Sequence, residues 1–160
     1  MTTQSITLAK TQEEDLNLFF QFQLDPEANY LAAFTPKDPT DKTAYLAKYL
    51  KHIADPTIQS QTIRVNQEIV GSIAKFMRDH DAELTYWIDR KYWGQGIATA
   101  ALQTFLQLEK TRPIHARVAF DNYGSQKVLE KNGFVKIGTD KGFANARQAE
   151  IAEYIYKLSD

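Results

Sequence analysis

Between residues 83 and 105 the spacing of apolar positions changes from two residues to about 3.6. Leu84, Tyr86 and Ile88 alternate with Glu83, Thr85 and Trp87, as in a pleated strand whose two faces meet different surroundings. From Ile97 the chain changes period: Ile97, Ala101, Phe105 and Leu108, with Ala98, Leu102 and Leu106 beside them, trace one stripe of a helix. Gly94 and Gly96 lie between the two patterns. A strand, a glycine-bearing turn and a fresh helix start leave several backbone N–H groups without carbonyl partners, and the helix dipole adds roughly half a positive charge there. Such a cluster suits a phosphate or pyrophosphate. The spacing fits neither the dinucleotide fingerprint, which needs a third glycine, nor the P-loop, which needs Gly-Lys-Ser/Thr. A tight strand-to-helix turn that binds nothing remains the alternative on these residues alone.

The same periodicities order the rest of the chain. Ile6 to Leu8 reads as a short first strand, followed by a capping box at Thr11-Gln12-Glu13-Glu14 and a helix carrying Leu16, Phe19, Phe20 and Gln23. Residues 25–41 read as irregular, because Pro26, Pro36 and Pro39 interrupt helical continuity. A second helix opens near Thr40 or Asp41 and runs to about His52, before Pro56. Thr62 to Val65, a turn at Asn66-Gln67 and Ile69 to Phe76 form a hairpin, and Asp79-His80-Asp81 turns the chain into the strand at Glu83, giving an antiparallel meander of three strands. Pro113 ends the helix that began at Ile97, and Ile114 to Phe120 is a further strand. Asn122 caps the next helix and Gly133 suits its left-handed exit. Phe134 to Gly138 and Ile151 to Leu158 are the last strands, joined by a polar loop over residues 139–149. Strand, two helices, three strands, helix, strand, helix and two strands make a mixed α/β sandwich on a largely antiparallel sheet.

Composition narrows the function classes. At 160 residues the chain is expected to be a single domain, residues 1–160. Its 19 Lys and Arg against 20 Asp and Glu give a net charge of −1 with no basic block, which disfavours a nucleic-acid partner. The absence of cysteine excludes disulfides, thiolate ligands and a cysteine nucleophile. Met1 to Ser5 lacks a basic-then-apolar leader, and no apolar run approaches the ~20 residues of a membrane span, so a cytoplasmic protein without a membrane partner is expected. His52, His80 and His115 lie on separate elements without ligand spacing, and no metal is expected.

Lys91-Tyr92-Trp93-Gly94-Gln95-Gly96-Ile97-Ala98 resembles motif A of the GNAT N-acetyltransferases, and Asn122-Tyr123-Gly124-Ser125-Gln126-Lys127-Val128-Leu129-Glu130-Lys131-Asn132-Gly133-Phe134 resembles their motif B. Two motifs in the right order are far more specific than either alone. The Tyr-Trp-Gly-x-Gly wording and the Asn-x-x-Ser variant look most like the branch that includes the ribosomal-protein alanine N-acetyltransferases. The resemblance spans nearly the whole chain. It implies an α/β (α+β) fold of the GNAT type: a mixed, largely antiparallel sheet of six to seven strands, about four helices, and splayed central strands, here Glu83 to Asp89 and Ile114 to Phe120. It also implies acetyl-CoA as cosubstrate, with the pantetheine arm between the splayed strands. Coenzyme contacts then fall on Ile88, Trp93, Gly94, Gln95, Gly96, Ile97, Ala98, Thr99, Asn122 and Lys127. For Asn122, helix capping alone is the alternative, and for Lys127, a solvated helix face. Trp87 and Trp93 read as packing residues.

The implied reaction moves an acetyl group from a thioester to an amine. Glu83 stands where several GNAT enzymes carry a glutamate general base; an exposed strand-end glutamate is the alternative. Many relatives place a tyrosine general acid four residues before the motif B Gly-Phe, and this chain has Leu129 there. That departure moves the role to Ser125, whose other reading is a bond to local backbone. The amine acceptor, a peptide N-terminus or a small molecule, is expected against residues 25–41 and 139–149, where Asp25, Glu27, Asp38 and Asp41 favour a cation while Lys37 and Lys42 dilute the field. A binding module that keeps the coenzyme cradle without turnover is the competing reading. Either a monomer or a homodimer is compatible with the sequence.

Overall fold

The computed structural model describes residues 5–160; Met1 to Gln4, and with them most of the stretch read for a leader, lie outside the described residues. Seven strands form one sheet: β1 (Ile6–Lys10), β2 (Gln59–Val65), β3 (Glu68–Arg78), β4 (Asp81–Ile88), β5 (Ile114–Ala119), β6 (Val135–Ala144) and β7 (Ala149–Leu158), in the order β1-β2-β3-β4-β5-β7-β6. Every neighbouring pair is antiparallel except β4 and β5. The α-helices among the described residues are α1 (Asp15–Gln23), α2 (Pro26–Ala32), α3 (Lys42–Ala54), α4 (Ile97–Leu108) and α5 (Tyr123–Lys131). None is long and apolar enough to cross a membrane.

Strand alternation divides the apolar residues between two layers. Val70, Ile73, Leu84 and Ile88 meet Ile97, Leu102 and Phe105 of α4 and Leu129 of α5 on one face. On the other, Ile69 and Trp87, one residue out of step, meet Leu16, Phe19 and Phe22 of α1 and Tyr45 and Tyr49 of α3. The meander of β2, β3 and β4 turns at Asn66-Gln67 (φ 51° and 74°) and Asp79-His80 (φ 50° and 73°), consecutive left-handed pairs whose twist matches antiparallel strands.

Three expectations need correction. The capping box does not form: the Thr11 hydroxyl is buried against that of Thr62 at 3.1 Å, and Asp15 instead accepts from the Gln12 N–H at 2.9 Å and the Thr62 hydroxyl at 2.9 Å. Residues 25–41 are not wholly irregular. Asp25 accepts from the Glu27 N–H at 3.0 Å, and Pro26 begins α2 at the position where a missing N–H does no harm. The segment 139–149 is largely strand, since β6 runs to Ala144 and β7 begins at Ala149. Gly142 of β6 lies against the Phe34 ring: a Cβ at this position would lie 3.4 Å from Phe34 Cε1.

The parallel ladder between β4 and β5 is short. Only Ala82 with Ile114, Glu83 with His115 and Leu84 with Ala116 are paired, after which β4 continues to Ile88 and β5 to Ala119 without touching as strands. The two strands therefore splay, and each leads into a helix, α4 or α5, at the open end. Opposite this opening, Gly71 of β3 holds β4 in place. A Cβ there would lie 2.1 Å from the Trp87 carbonyl oxygen and 3.0 Å from Ile88 Cδ1. Gly71→Ala must push the β4 backbone aside and is expected to destabilise the protein by about 2–3 kcal/mol, as overpacking does. At ~2–4 °C per kcal/mol for a chain of this size, thermal denaturation should show a loss of roughly 4–12 °C. An unchanged midpoint would refute the close approach.

Candidate active site

At the end of β4 the chain makes a 3-10 turn, Arg90–Tyr92, and passes through Gly94 (φ 76°) and Gly96 (φ 75°) into α4. Gly96 precedes the helix and brings no side chain to cap it, and the first helical bond is from the Ala100 N–H to the Gly96 carbonyl at 3.1 Å. The amides of Ile97, Ala98 and Thr99 therefore have no carbonyl one turn back. A Cβ at Gly94 or Gly96 would meet no heavy atom within 4 Å, so the space in front of both is open. Unsatisfied donors facing open space at a helix N-terminus fit a pyrophosphate. Coenzyme A carries one.

Trp93 departs from its expected place. Its N–H donates to the Arg90 carbonyl at 3.0 Å and so is withdrawn from the cradle. Its ring is 39% exposed rather than packed, and Nε1 donates to the Ile88 carbonyl at 2.8 Å, pinning the turn to the strand. Ile88 itself is a buried wall of the main core. Gln95 is exposed beside the glycines. The Thr99 carbonyl accepts from Asn132 Nδ2 at 3.2 Å, tying α4 to the end of α5. Arg90 binds both Asp25 and Glu27, joining this turn to the start of α2.

The second motif sits across the opening. Asn122 accepts from the Ser125 N–H at 3.3 Å, capping α5, while its Nδ2 reaches the Leu31 carbonyl at 3.4 Å. Ser125 does not spend its hydroxyl on local backbone. Its Oγ lies 2.5 Å from the hydroxyl of Tyr86, which reaches over from β4. Burial pushes the Tyr86 phenol up to about 12, against a smaller opposite effect of the Ser125 bond, so it stays protonated at neutral pH. Leu129 is fully buried in the core, and Lys127 is exposed on α5 without an ion pair to a described residue.

Glu83 is not an exposed strand-end residue. It is 6% exposed, with Arg78 Nε at 3.0 Å and Arg117 Nε at 3.6 Å. Arg117 also reaches Glu153 at 2.9 Å and Asp140 at 3.0 Å. Burial raises the Glu83 pKa above the ordinary carboxylate range, while Arg78 and Arg117 pull it back towards ionisation. The result is a carboxylate with a stronger appetite for a proton than a surface glutamate has.

A cavity of about 620 Å³ connects these groups. Glu83, Tyr86, Asn122 and Ser125 line it together, although Glu83 and Tyr86 point to opposite faces of β4. The splay makes this possible, because the cavity passes through the sheet where β4 and β5 have parted. Its far arm, on the α1 and α3 side, is lined by Phe19, Phe22, Tyr45, Tyr49, His52 and Trp87. The glycine turn, Thr99 and Lys127 do not line the cavity and stand outside it. Among the described residues no cluster of three or more His, Asp or Glu is placed to hold a metal.

Of the two segments expected on the acceptor side, one reaches the cavity. Asn29, Ala32, Phe34, Thr35 and Pro36 line the cavity, but no residue of 139–149 does. That hairpin tip holds the lining from behind: Asn145 Nδ2 donates to the Thr35 carbonyl at 2.7 Å, the Ala146 N–H to that of Ala33 at 3.2 Å, and Arg147 pairs with Asp121 through two bonds of 2.8 Å. The four acidic residues have local duties. Asp25 and Glu27 bind Arg90, Asp38 accepts from Thr40, and Asp41 caps α3. Tyr86, Arg78 and Arg117 were not singled out by sequence reasoning, and alternation alone argues against grouping Tyr86 with Glu83.

Comparison with known proteins agrees with this geometry. The family described as the acetyltransferase (GNAT) domain matches residues 5–135. An uncharacterised N-acetyltransferase, p20, from Bacillus licheniformis is 27% identical over 170 residues, covering 98% of this chain and 93% of that protein. Among solved structures, a RimL ribosomal L7/L12 alpha-N-protein acetyltransferase in complex with coenzyme A superposes with a TM-score of 0.84 at 18% identity, covering 96% of this chain and 93% of that one. A ribosomal-protein-alanine N-acetyltransferase from Brucella melitensis gives 0.82 at 17% identity, covering 96% and 99%. The family match over residues 5–135, on a sheet split between β4 and β5 and opening at the amides of α4, establishes that this chain belongs to the GNAT acetyltransferase family.

Proposed function

We propose that this enzyme transfers acetyl from acetyl-CoA directly to a primary amine in a ternary complex, with residues 1–160 acting as one domain in the cytoplasm. One observation carries the mechanistic reading: a buried carboxylate and a hydroxyl pair share a cavity that passes through the gap between β4 and β5. Acetyl-CoA supplies the activated acyl group as a thioester. The amides of Ile97, Ala98 and Thr99, with the open space before Gly94 and Gly96, hold its pyrophosphate end, so that binding energy far from the reacting bond positions the acyl carbon. From the other side, Glu83 accepts the amine's proton directly or through one water. An α-amine with pKa near 7.7–8 needs little such help at neutral pH, whereas a lysine amine near 10.4 needs about 3–4 kcal/mol more. Ser125 donates a hydrogen bond to the departing sulfur.

The cavity also bears on the acceptor. Its carboxylates, Glu83 and Glu153, are matched by Arg78 and Arg117, and Lys48 lines the aromatic arm without an ion pair to a described residue. That arm offers apolar area and no uncommitted negative charge. An amine with a large apolar or aromatic body fits it, and a polyamine, whose extra ammonium groups would lack partners, does not. Free-thiol release over a panel of phenethylamine, alanine-initiated peptides, lysine and spermidine tests both points. The apolar amines are expected to exceed spermidine in kcat/KM by about tenfold or more, the scale set by ~1–3 kcal/mol of pocket discrimination. Preference for spermidine would refute the acceptor assignment alone. Acetyl-CoA binding without release from any amine would favour the non-catalytic module.

A further inference from the structure

Tyr86 has no part in the reaction as described so far, yet it makes one of the shortest polar contacts in the cavity. Its hydroxyl lies 2.5 Å from Ser125 Oγ and 3.4 Å from the Ser125 backbone carbonyl oxygen. Both neighbours of the phenol hydroxyl belong to one residue: a carbonyl oxygen, which only accepts, and a hydroxyl, which can accept or donate. Ser125 Oγ has no other hydrogen-bond partner among the described residues. A phenol is more acidic than an aliphatic alcohol and is the better donor of the two. With Tyr86 donating, the Ser125 proton is left pointing away from the tyrosine, with the cavity that both residues line as its outlet.

We propose that Tyr86 is a positioning residue for the transfer: it holds the Ser125 hydroxyl as a donor aimed at the departing sulfur, supplying from β4 the phenol that Leu129 does not supply from α5. This rests on the reading of Ser125 as that donor. The arrangement explains how an apolar residue at 129 is compatible with turnover. Leu129 is 1% exposed and fills the core beneath α5, while the phenol reaches the same helix from the stretch of β4 that lies beyond its last pair with β5. As the bond from acyl carbon to sulfur breaks, its electron pair leaves on sulfur. Ser125 bonds to that growing charge, and Tyr86 bonds to Ser125, each O–H strengthening the next. No proton need leave Tyr86. The amine's proton goes to Glu83 and from there to solvent, and the thiolate, of a thiol whose ordinary pKa is near 8.5, takes its proton from solvent after departure.

Tyr86→Phe, Ser125→Ala and the double variant provide the test, with kcat and the acetyl-CoA KM measured for each. Tyr86→Phe should lower kcat about tenfold while the KM for acetyl-CoA stays within about twofold, the loss expected of one hydrogen bond felt mainly at the reacting centre. The double variant should be no slower than Ser125→Ala alone, because the tyrosine acts only through the serine. Placing 3,5-difluorotyrosine at position 86 gives a second readout. This more acidic phenol should make kcat fall at a lower pH than in the native enzyme, since a phenolate cannot donate. That variant keeps the ring and hydroxyl, so it serves even if Tyr86→Phe folds poorly. Native kcat in Tyr86→Phe, multiplying losses in the double variant, or an unmoved pH profile overturns the proposal. A fully active Ser125→Ala overturns the underlying reading of Ser125, and Tyr86 as its positioner falls with it.

Discussion

Gly96→Val is expected to weaken acetyl-CoA binding by about 100-fold, roughly 2.8 kcal/mol at 1.4 kcal/mol per tenfold. Two effects combine. Gly96 sits at φ 75°, where a β-branched side chain is disfavoured by about 1–3 kcal/mol. Its Cβ would meet no protein atom within 4 Å, so the new side chain projects into the space proposed for the pyrophosphate. Gly133→Ala separates these effects. Gly133 has φ 88° and lies beyond the far end of α5, so alanine there brings backbone strain without touching the cradle. Calorimetric titration with acetyl-CoA should show the affinity loss for Gly96→Val only, whereas thermal melting should show destabilisation in both. Unchanged affinity in Gly96→Val would remove the pyrophosphate from this turn.

The second large effect is expected at Glu83. Glu83→Gln keeps the shape of the side chain and removes its capacity to take a proton, so turnover should fall on the order of 10²-fold or more, as losing a general base does. Acetyl-CoA affinity should be little changed, because the cradle lies outside the cavity. The pH profile gives the sharper criterion. Burial raises the Glu83 pKa, and a base must be unprotonated to act. Native kcat/KM should therefore fall as pH drops through a value above the ordinary carboxylate value near 4.3. In Glu83→Gln that limb should vanish, leaving only the ionisation of the amine itself. A persisting limb in the variant would assign the titration to another group. A wild-type rate would leave Glu83 as a tie between Arg78 and Arg117.

Much of this was legible in the chain itself wherever local rules act alone. The change of period at Ile97, the glycines before it and the Asn122 cap each concern neighbours in sequence, and the structure places α4 and α5 where those signals put them. Pro26 shows how one residue supports two readings: it ends a helix when taken as a breaker, and begins one when Asp25 before it is taken as a cap. At Thr11 a tertiary contact displaced a local one, since a threonine on the neighbouring strand claimed the hydroxyl. The pairing of Glu83 with Tyr86 in one cavity was out of reach. Alternation assigns them to opposite faces, and only the register between β4 and β5, set by residues some 30 positions apart, shows that the sheet parts between them.

Among the described residues, three pairs are all that join β1 to β4 with β5 to β7 as sheet. Two panels fastened along one short seam behave as a clasp. A long, flexible molecule lying in the gap would supply the missing rungs of the ladder, and the loaded protein should resist unfolding more than the empty one, by ~2.7 kcal/mol at a hundredfold excess over the dissociation constant.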